Sequence, residues 1–166
     1  MISVSRALSR ARRLLLILGI ATFVPVAATT AEVALELVGT GPAEARALTL
    51  DDLAALPQVA VTTENEFSDG VVTYRGPLVR DILAEIGLDR LQAVRFVAAN
   101  DYYVDIPTSD FAEYDVILAM EADGMPLSRR DKGPLWLMYP ISGHVALRDP
   151  IYLRRLIWQV VRIEAL

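Results

Sequence analysis

Six side chains of this 166-residue sequence have the chemistry to hold a small polar or anionic ligand: Arg75, Asn100, Asp101, Tyr103, Lys132 and His144. Arg75 stands just ahead of Gly76-Pro77, where a helix start would aim backbone N–H groups outward. A guanidinium beside such donors clamps anions well, and a solvated turn arginine fits the position too. Asn100, Asp101, Tyr102 and Tyr103 join polar groups to aromatic rings at a strand connection. Such a mixture can line a pocket, and it is also ordinary turn chemistry. Lys132 belongs with Arg129 and Arg130 to the densest basic group beyond residue 31. That group suits a phosphate or carboxylate, or simply a charged loop tip. His144 is the single histidine and suits either a pocket mouth or the surface.

Several familiar chemistries are disfavoured. Ser142, His144 and Asp149 contain the residue types of a hydrolase triad, but their spacing is too local, because triad groups converge from separate elements. No Gly-x-Ser-x-Gly turn is present. One histidine cannot build a histidine-rich metal site. The pairs Glu64/Glu66 and Asp51/Asp52 are sequence neighbours, whereas glycosidases need carboxylates facing across a cleft. The chain contains no cysteine, so disulfides, cysteine-bound zinc, iron–sulfur clusters and thiol redox chemistry are excluded within it. No catalytic residue and no protein metal ligand is assigned.

The elements that position these residues begin after an expected leader. Arg6, Arg10, Arg12 and Arg13 precede an uncharged run over residues 14–31. Its apolar heart, LLLILGIATFVPVAA, ends near Ala27, Ala28 and Ala31. A positive start, a short apolar middle and small residues predict a signal peptide over 1–31, cut after Ala28 or Ala31. The competing reading is an uncleaved anchor, since an 18-residue run is near the lower limit for a span. Pro25, Thr22, Thr29 and Thr30 weaken its apolar end. Arg12-Arg13 leaves twin-arginine export open beside the general secretory route. The expectation is an exported protein of the bacterial periplasm, with no stable membrane span after cleavage. Four of the 16 basic residues lie in the leader and all 21 acidic ones beyond it, leaving the remainder at a formal −9. Such a charge repels nucleic acid and anionic lipid. The partners expected are a small anionic ligand or a periplasmic or membrane protein.

Beyond residue 31, turn signals recur about every ten residues, which predicts a mixed α+β domain. Val33, Leu35 and Leu37 alternate with Ala34 and Glu36, predicting a strand. Thr49 and Asp52 form a capping-box-like start for a helix over 50–56, stopped by Pro57. Strands are expected over 58–63 and 71–74, flanking a polar loop over 64–70. Pro77 is placed at the first position of a helix whose apolar face carries Leu78, Ile82, Leu83 and Ile86 and which Gly87 ends. Two strands follow over 93–98 and 102–106, then a loop or single helical turn over 107–114. Strands over 116–120 and 135–139 are apolar on both faces, with a hairpin at Asp123-Gly124 between them. Trp136 reads as core packing, and Tyr139 is expected with its hydroxyl at a pocket edge. Asp149-Pro150 caps and starts a last helix near 151–157, and a strand over 159–164 closes the chain.

The ordered segments LTLDDLAALPQVAV, TYRGPLVRDILAEIGL, VRFVAANDYYVDIP, ILAMEADGMPLSRRDKGPLWLMYP and LIWQVVRIE span residues 48–164. Together they resemble the oxidoreductase molybdopterin-binding domain of the sulfite oxidase family. The resemblance implies a single compact α+β domain of short strands and helices, with a strand and connection over 32–47 and the molybdopterin-binding-like domain over 48–166. It also implies molybdopterin as a possible cofactor. That family grips its metal with the pterin sulfurs and one protein cysteine, in the loop before the aromatic-x-Gly turn. Here that loop is TTENEFSDG, residues 62–70, with Glu64 or a neighbour near the ligand position. A carboxylate is a hard donor and a poor substitute for a thiolate. Two readings follow: a non-catalytic module binding a small ligand or partner, or a genuine molybdopterin-dependent oxidoreductase completed by an oxygen ligand or a partner subunit. A partner module for a membrane sensor or redox complex is a third. Whether the chain is an enzyme stays open at this point.

Overall fold

Alternating burial builds the first strand, β1 (Val33–Val38), in which Leu35 and Leu37 turn inward and Glu36 outward. The computed structural model describes residues 32–41 and 44–166; the expected leader and its cleavage sites lie outside them. β1 is an interior strand. It pairs antiparallel with β2 (Ala45–Thr49) and parallel with the last strand, β11 (Val160–Ala165), Glu36 facing Arg162. With β5 (Ala93–Ala98) and β6 (Tyr103–Pro107) they form a sheet of order β2-β1-β11-β5-β6. β2 falls where the sequence suggests only a connection. Its ARALT segment buries Leu48 alone, so the alternation that marks a strand is missing at this edge.

Thr49 ends β2 and caps α1 (Leu50–Ala55). The Asp52 N–H donates to Thr49 Oγ1 at 3.1 Å, and the Thr49 N–H returns to Asp52 Oδ2 at 2.8 Å, the reciprocal box foreseen from the residue types. The Thr49 N–H, followed by the Thr49 hydroxyl donating to the same Oδ2 at 2.7 Å, holds the Asp52 carboxyl below its ordinary range. A second sheet has the order β3-β4-β8-β9, from β3 (Gln58–Glu64), β4 (Val71–Pro77), β8 (Glu121–Ala122) and β9 (Met125–Pro126). Asp123 and Gly124, both at positive φ, make the β8–β9 turn.

One helix start is corrected. Pro77 is the last residue of β4, and α2 (Val79–Ala84) begins after Leu78, with no side-chain cap. Two hydrogen bonds hold the 75–79 segment extended against the following strand, β7 (Ile117–Ala119): Met120 N–H to Arg75 O at 2.8 Å, and Val79 N–H to Val116 O at 2.9 Å. Gly76 permits that approach, because a Cβ there would lie 2.0 Å from the Leu118 carbonyl oxygen.

β7 pairs with β10 (Trp136–Met138) in a two-stranded ribbon buried on both faces. The ribbon links the sheets. β7 bonds to the end of β4, and the Leu137 N–H donates to Ile157 O at 2.9 Å just before β11. Two short helices complete the fold, α3 (Ser109–Glu113) and α4 (Pro150–Arg155), the latter capped by Asp149. Among the described residues no helix is long and apolar enough to cross a membrane.

Candidate functional site

The loop over 64–70 is fastened from within. Asn65 is only 7% exposed. Its Oδ1 accepts from the Phe67 N–H at 2.9 Å, and its Nδ2 lies 3.4 Å from the Tyr74 hydroxyl and 3.9 Å from Met138 Sδ. At the base of the loop, the Glu64 N–H donates to Ser142 Oγ at 2.9 Å and the Ser142 N–H donates to Thr63 Oγ1 at 3.1 Å. The Asn65 turn projects Phe67 toward Trp158, ring centroids 5.3 Å apart and edge to face.

A depression lies on each side of this loop. One is a cleft of about 330 Å³ walled by Phe67, Ala98, Tyr102, Leu153, Leu156, Ile157 and Trp158, with Glu66, Asn100 and Arg154 completing its lining. The other, about 370 Å³, is open and polar, lined by Glu64, Asn65, Glu66, Ile141, Ser142 and Arg148. Glu66 borders both.

The far wall of the apolar cleft is anchored in the core. Arg155, at the end of α4, donates to Asp110 on α3, and the Tyr139 hydroxyl donates to the same carboxylate oxygen at 2.7 Å. Asp110 and Arg155 are each under 10% exposed. The Tyr152 ring lies 5.0 Å from the Arg155 guanidinium and 5.5 Å from the Tyr139 ring. Burial, then the Asp110 charge, pushes the Tyr139 phenol well above its ordinary range. Tyr139 therefore sits in the core, not at the pocket edge that its position in the strand suggests. Trp136 is core as read, its Nε1 donating to Leu156 O at 3.1 Å.

The six side chains singled out in the sequence occupy separate places. Asn100 lines the apolar cleft, its Oδ1 accepting from the Tyr102 N–H at 3.2 Å. Asp101 is the exposed positive-φ residue of that turn. Tyr103 lies on the open face of the larger sheet under the Arg95 guanidinium at 4.2 Å. There Arg95 holds Asp105 through two nitrogens, the bond that lowers the Asp105 carboxyl below its usual range. Arg75 is not in a turn; it points outward from β4 between Ala60 and Glu121 on the flanking strands. Lys132 pairs with Asp131 at 3.2 Å and stands 5.2 Å from the Trp136 ring. His144 is exposed against Tyr114, ring centroids 5.1 Å apart. The sequence reading missed Phe67, Arg154 and Trp158 as cleft residues. An aromatic at an otherwise polar loop and a tryptophan at a strand entrance were the available signals.

The donor set does not fit a molybdenum centre. The loop where the resemblance places the metal thiolate has the exposed Glu64 and the inward Asn65, and no cysteine exists in the chain. The sulfur beside the loop is the buried thioether of Met138, a weak ligand already against Asn65. Among the described residues, no three His, Cys, Asp or Glu side chains gather to hold a metal ion.

The family model described as the oxidoreductase molybdopterin binding domain matches residues 22–159. The chain belongs to this family. Among solved structures, it is similar to the sulfane dehydrogenase SoxCD from Paracoccus pantotrophus, at 18% identity and a TM-score of 0.58. The match covers 78% of this chain and 37% of that one, so this chain spans well under half of its structural relative. That likeness supports the sulfite oxidase-like fold. No curated protein matches the chain.

Proposed function

We propose that this protein is an exported, non-catalytic member of the molybdopterin-binding domain family that binds a small anionic ligand in the cleft beside the 64–70 loop. One observation supports the reading above the others. The loop that would present a metal thiolate is instead pinned inward by Asn65 and lends Phe67 to an apolar wall. Arg154 and the Nδ2 of Asn100 supply donors for an anionic group at the cleft. A cleft this size suits a small molecule. The ligand-bound form, or the open sheet face, then serves a periplasmic or membrane protein partner.

The test is metal analysis and native mass spectrometry of the exported protein, purified from a host that makes the molybdenum cofactor. The expected result is polypeptide without stoichiometric molybdenum or pterin, whose melting temperature rises with a small carboxylate or phosphate ligand. Stoichiometric molybdenum–pterin would overturn this reading in favour of a genuine oxidoreductase.

A further inference from the structure

A sheet edge is a row of unpaired backbone groups, and soluble proteins usually defend it. Three of the four outer strands of the two larger sheets are defended. β2 carries Arg46, β6 carries Asp105 and ends at Pro107, and β9 is two residues long and ends at Pro126. Charge, proline or brevity blunts each of them. β3 differs. It is the longest of the four, at seven residues, and residues 58–63 hold neither charge nor proline.

The ladder shows which way each backbone group of β3 turns. The Asp123 and Met120 N–H groups donate to Thr73 O and Arg75 O, both at 2.8 Å, so Thr73 and Arg75 turn their backbones toward β8. Alternation then turns Val72, Tyr74 and Gly76 toward β3, where they face Thr63, Val61 and Val59. Gln58, Ala60, Thr62 and Glu64 are left turned away from β4. Glu64 agrees, its N–H donating outward to Ser142 Oγ at 2.9 Å. That serine closes one end of the edge, and Pro57 stands at the other. Among the described residues nothing bonds the outward N–H and C=O groups of Ala60 and Thr62, and both residues are exposed.

We propose that the free edge of β3 pairs antiparallel with β3 of a second copy of this chain, on a two-fold axis at Ala60. The open stretch, residues 58–62, is its own complement about that residue. Ala60 meets Ala60 of the second copy, Val59 meets Val61, and Gln58 meets Thr62. The outward-turned residues exchange both N–H···O bonds at each pair, and two four-stranded sheets become one. No charge lies opposite a like charge. Glu64 stands four positions from the axis, so the two copies of it lie about 27 Å apart along the seam, well past a screening length of about 8 Å at physiological salt. The contact is isologous and closes as a pair, not a filament. So short a seam falls below the standard interface size, and the acidic balance beyond residue 31 opposes association at low salt. The pair is therefore transient and fills only at high protein concentration. None of residues 58–62 lines the cleft beside Phe67, so the pairing stands apart from the ligand reading.

The full chain, expressed and purified, would be followed by analytical ultracentrifugation up to about 1 mM. The expected result is a monomer–dimer equilibrium. Ala60→Pro deletes an outward N–H and no bond to β4, a change that an edge strand tolerates. It should raise the dimer dissociation constant at least about tenfold with little change in melting temperature. Thr62→Lys, which sets a charge on the edge, should do the same. Because the chain has no cysteine, one introduced thiol reports the register. Ala60→Cys should give a disulfide-linked dimer on mild oxidation, its Cα atoms about 5.5 Å apart. Thr62→Cys, about 14 Å from its twin, should not. A monomer at every concentration, a dimer that both edge variants leave intact, equal cross-linking at 60 and 62, or growth into larger species would each overturn the pairing. A monomeric chain that retains a native partner protein, released by Thr62→Lys, would overturn the second copy and put a partner's strand on this edge.

Discussion

The Asp110 carboxylate is the most demanding single group in the molecule. It is buried, and it is stable only because Tyr139 and Arg155 both donate to it. Removing it strands a buried guanidinium, so Asp110→Ala should cost about 3–5 kcal/mol in urea unfolding. Replacing Asp110 and Arg155 together by leucine should cost much less, because no unpaired charge remains. The Tyr139 phenol has a folded-state pKa above its unfolded value. Its proton therefore favours the folded state. That contribution is complete below about pH 10, the unfolded tyrosine value, and is lost as pH rises from there through the raised folded value. Alkaline melting curves should show the decline, and Tyr139→Phe should remove that part of it. None of this was visible locally. Asp110 sits in a polar helical turn and Arg155 beside Arg154, and 45 residues separate the pair.

At the scale of elements, much of the fold was legible, because caps and turns are chemistry among near neighbours. Thr49 and Asp52 announced α1, Asp123-Gly124 announced a hairpin, and Asp149-Pro150 announced α4. Thr49→Ala should cost about 1 kcal/mol by denaturant unfolding, as expected for a lost N-cap. Pro77 misled because its ring suits a helix start as well as a strand end, and only the contact with β7 selects the strand. Gly76 marks that contact. Gly76→Ala would press a Cβ onto the Leu118 carbonyl, where backbone and not a movable side chain must yield. The expected loss is at least about 2–3 kcal/mol, read as a lower urea midpoint. The equivalent change at Gly70, which has no neighbour within 4 Å of a built Cβ, pays only for its positive φ.

For the whole molecule, the first and last strands lie side by side at the interior of one sheet. A chain beginning at residue 32 keeps β1 intact and should fold. A chain beginning at residue 39 loses the strand between β2 and β11 and should be insoluble or unfolded by circular dichroism. The proposed export predicts an N-terminus after Ala28 or Ala31 in mass spectrometry of the native protein; an intact residue 1–31 segment would favour an anchored form instead. From the acidic balance beyond residue 31 we expect no shift of a DNA or RNA probe in a mobility-shift assay.

Composition and short-range pattern carried the α+β class, the lack of any thiolate and most element types, since each depends on residues within a few positions of one another. They could not say that Asn100 would meet Phe67, Arg154 and Trp158 around one cleft while Arg75, Lys132 and His144 pointed elsewhere. Strand order and the seam between the two sheets set those distances. Both arise from long-range packing, and no local run of residues encodes them.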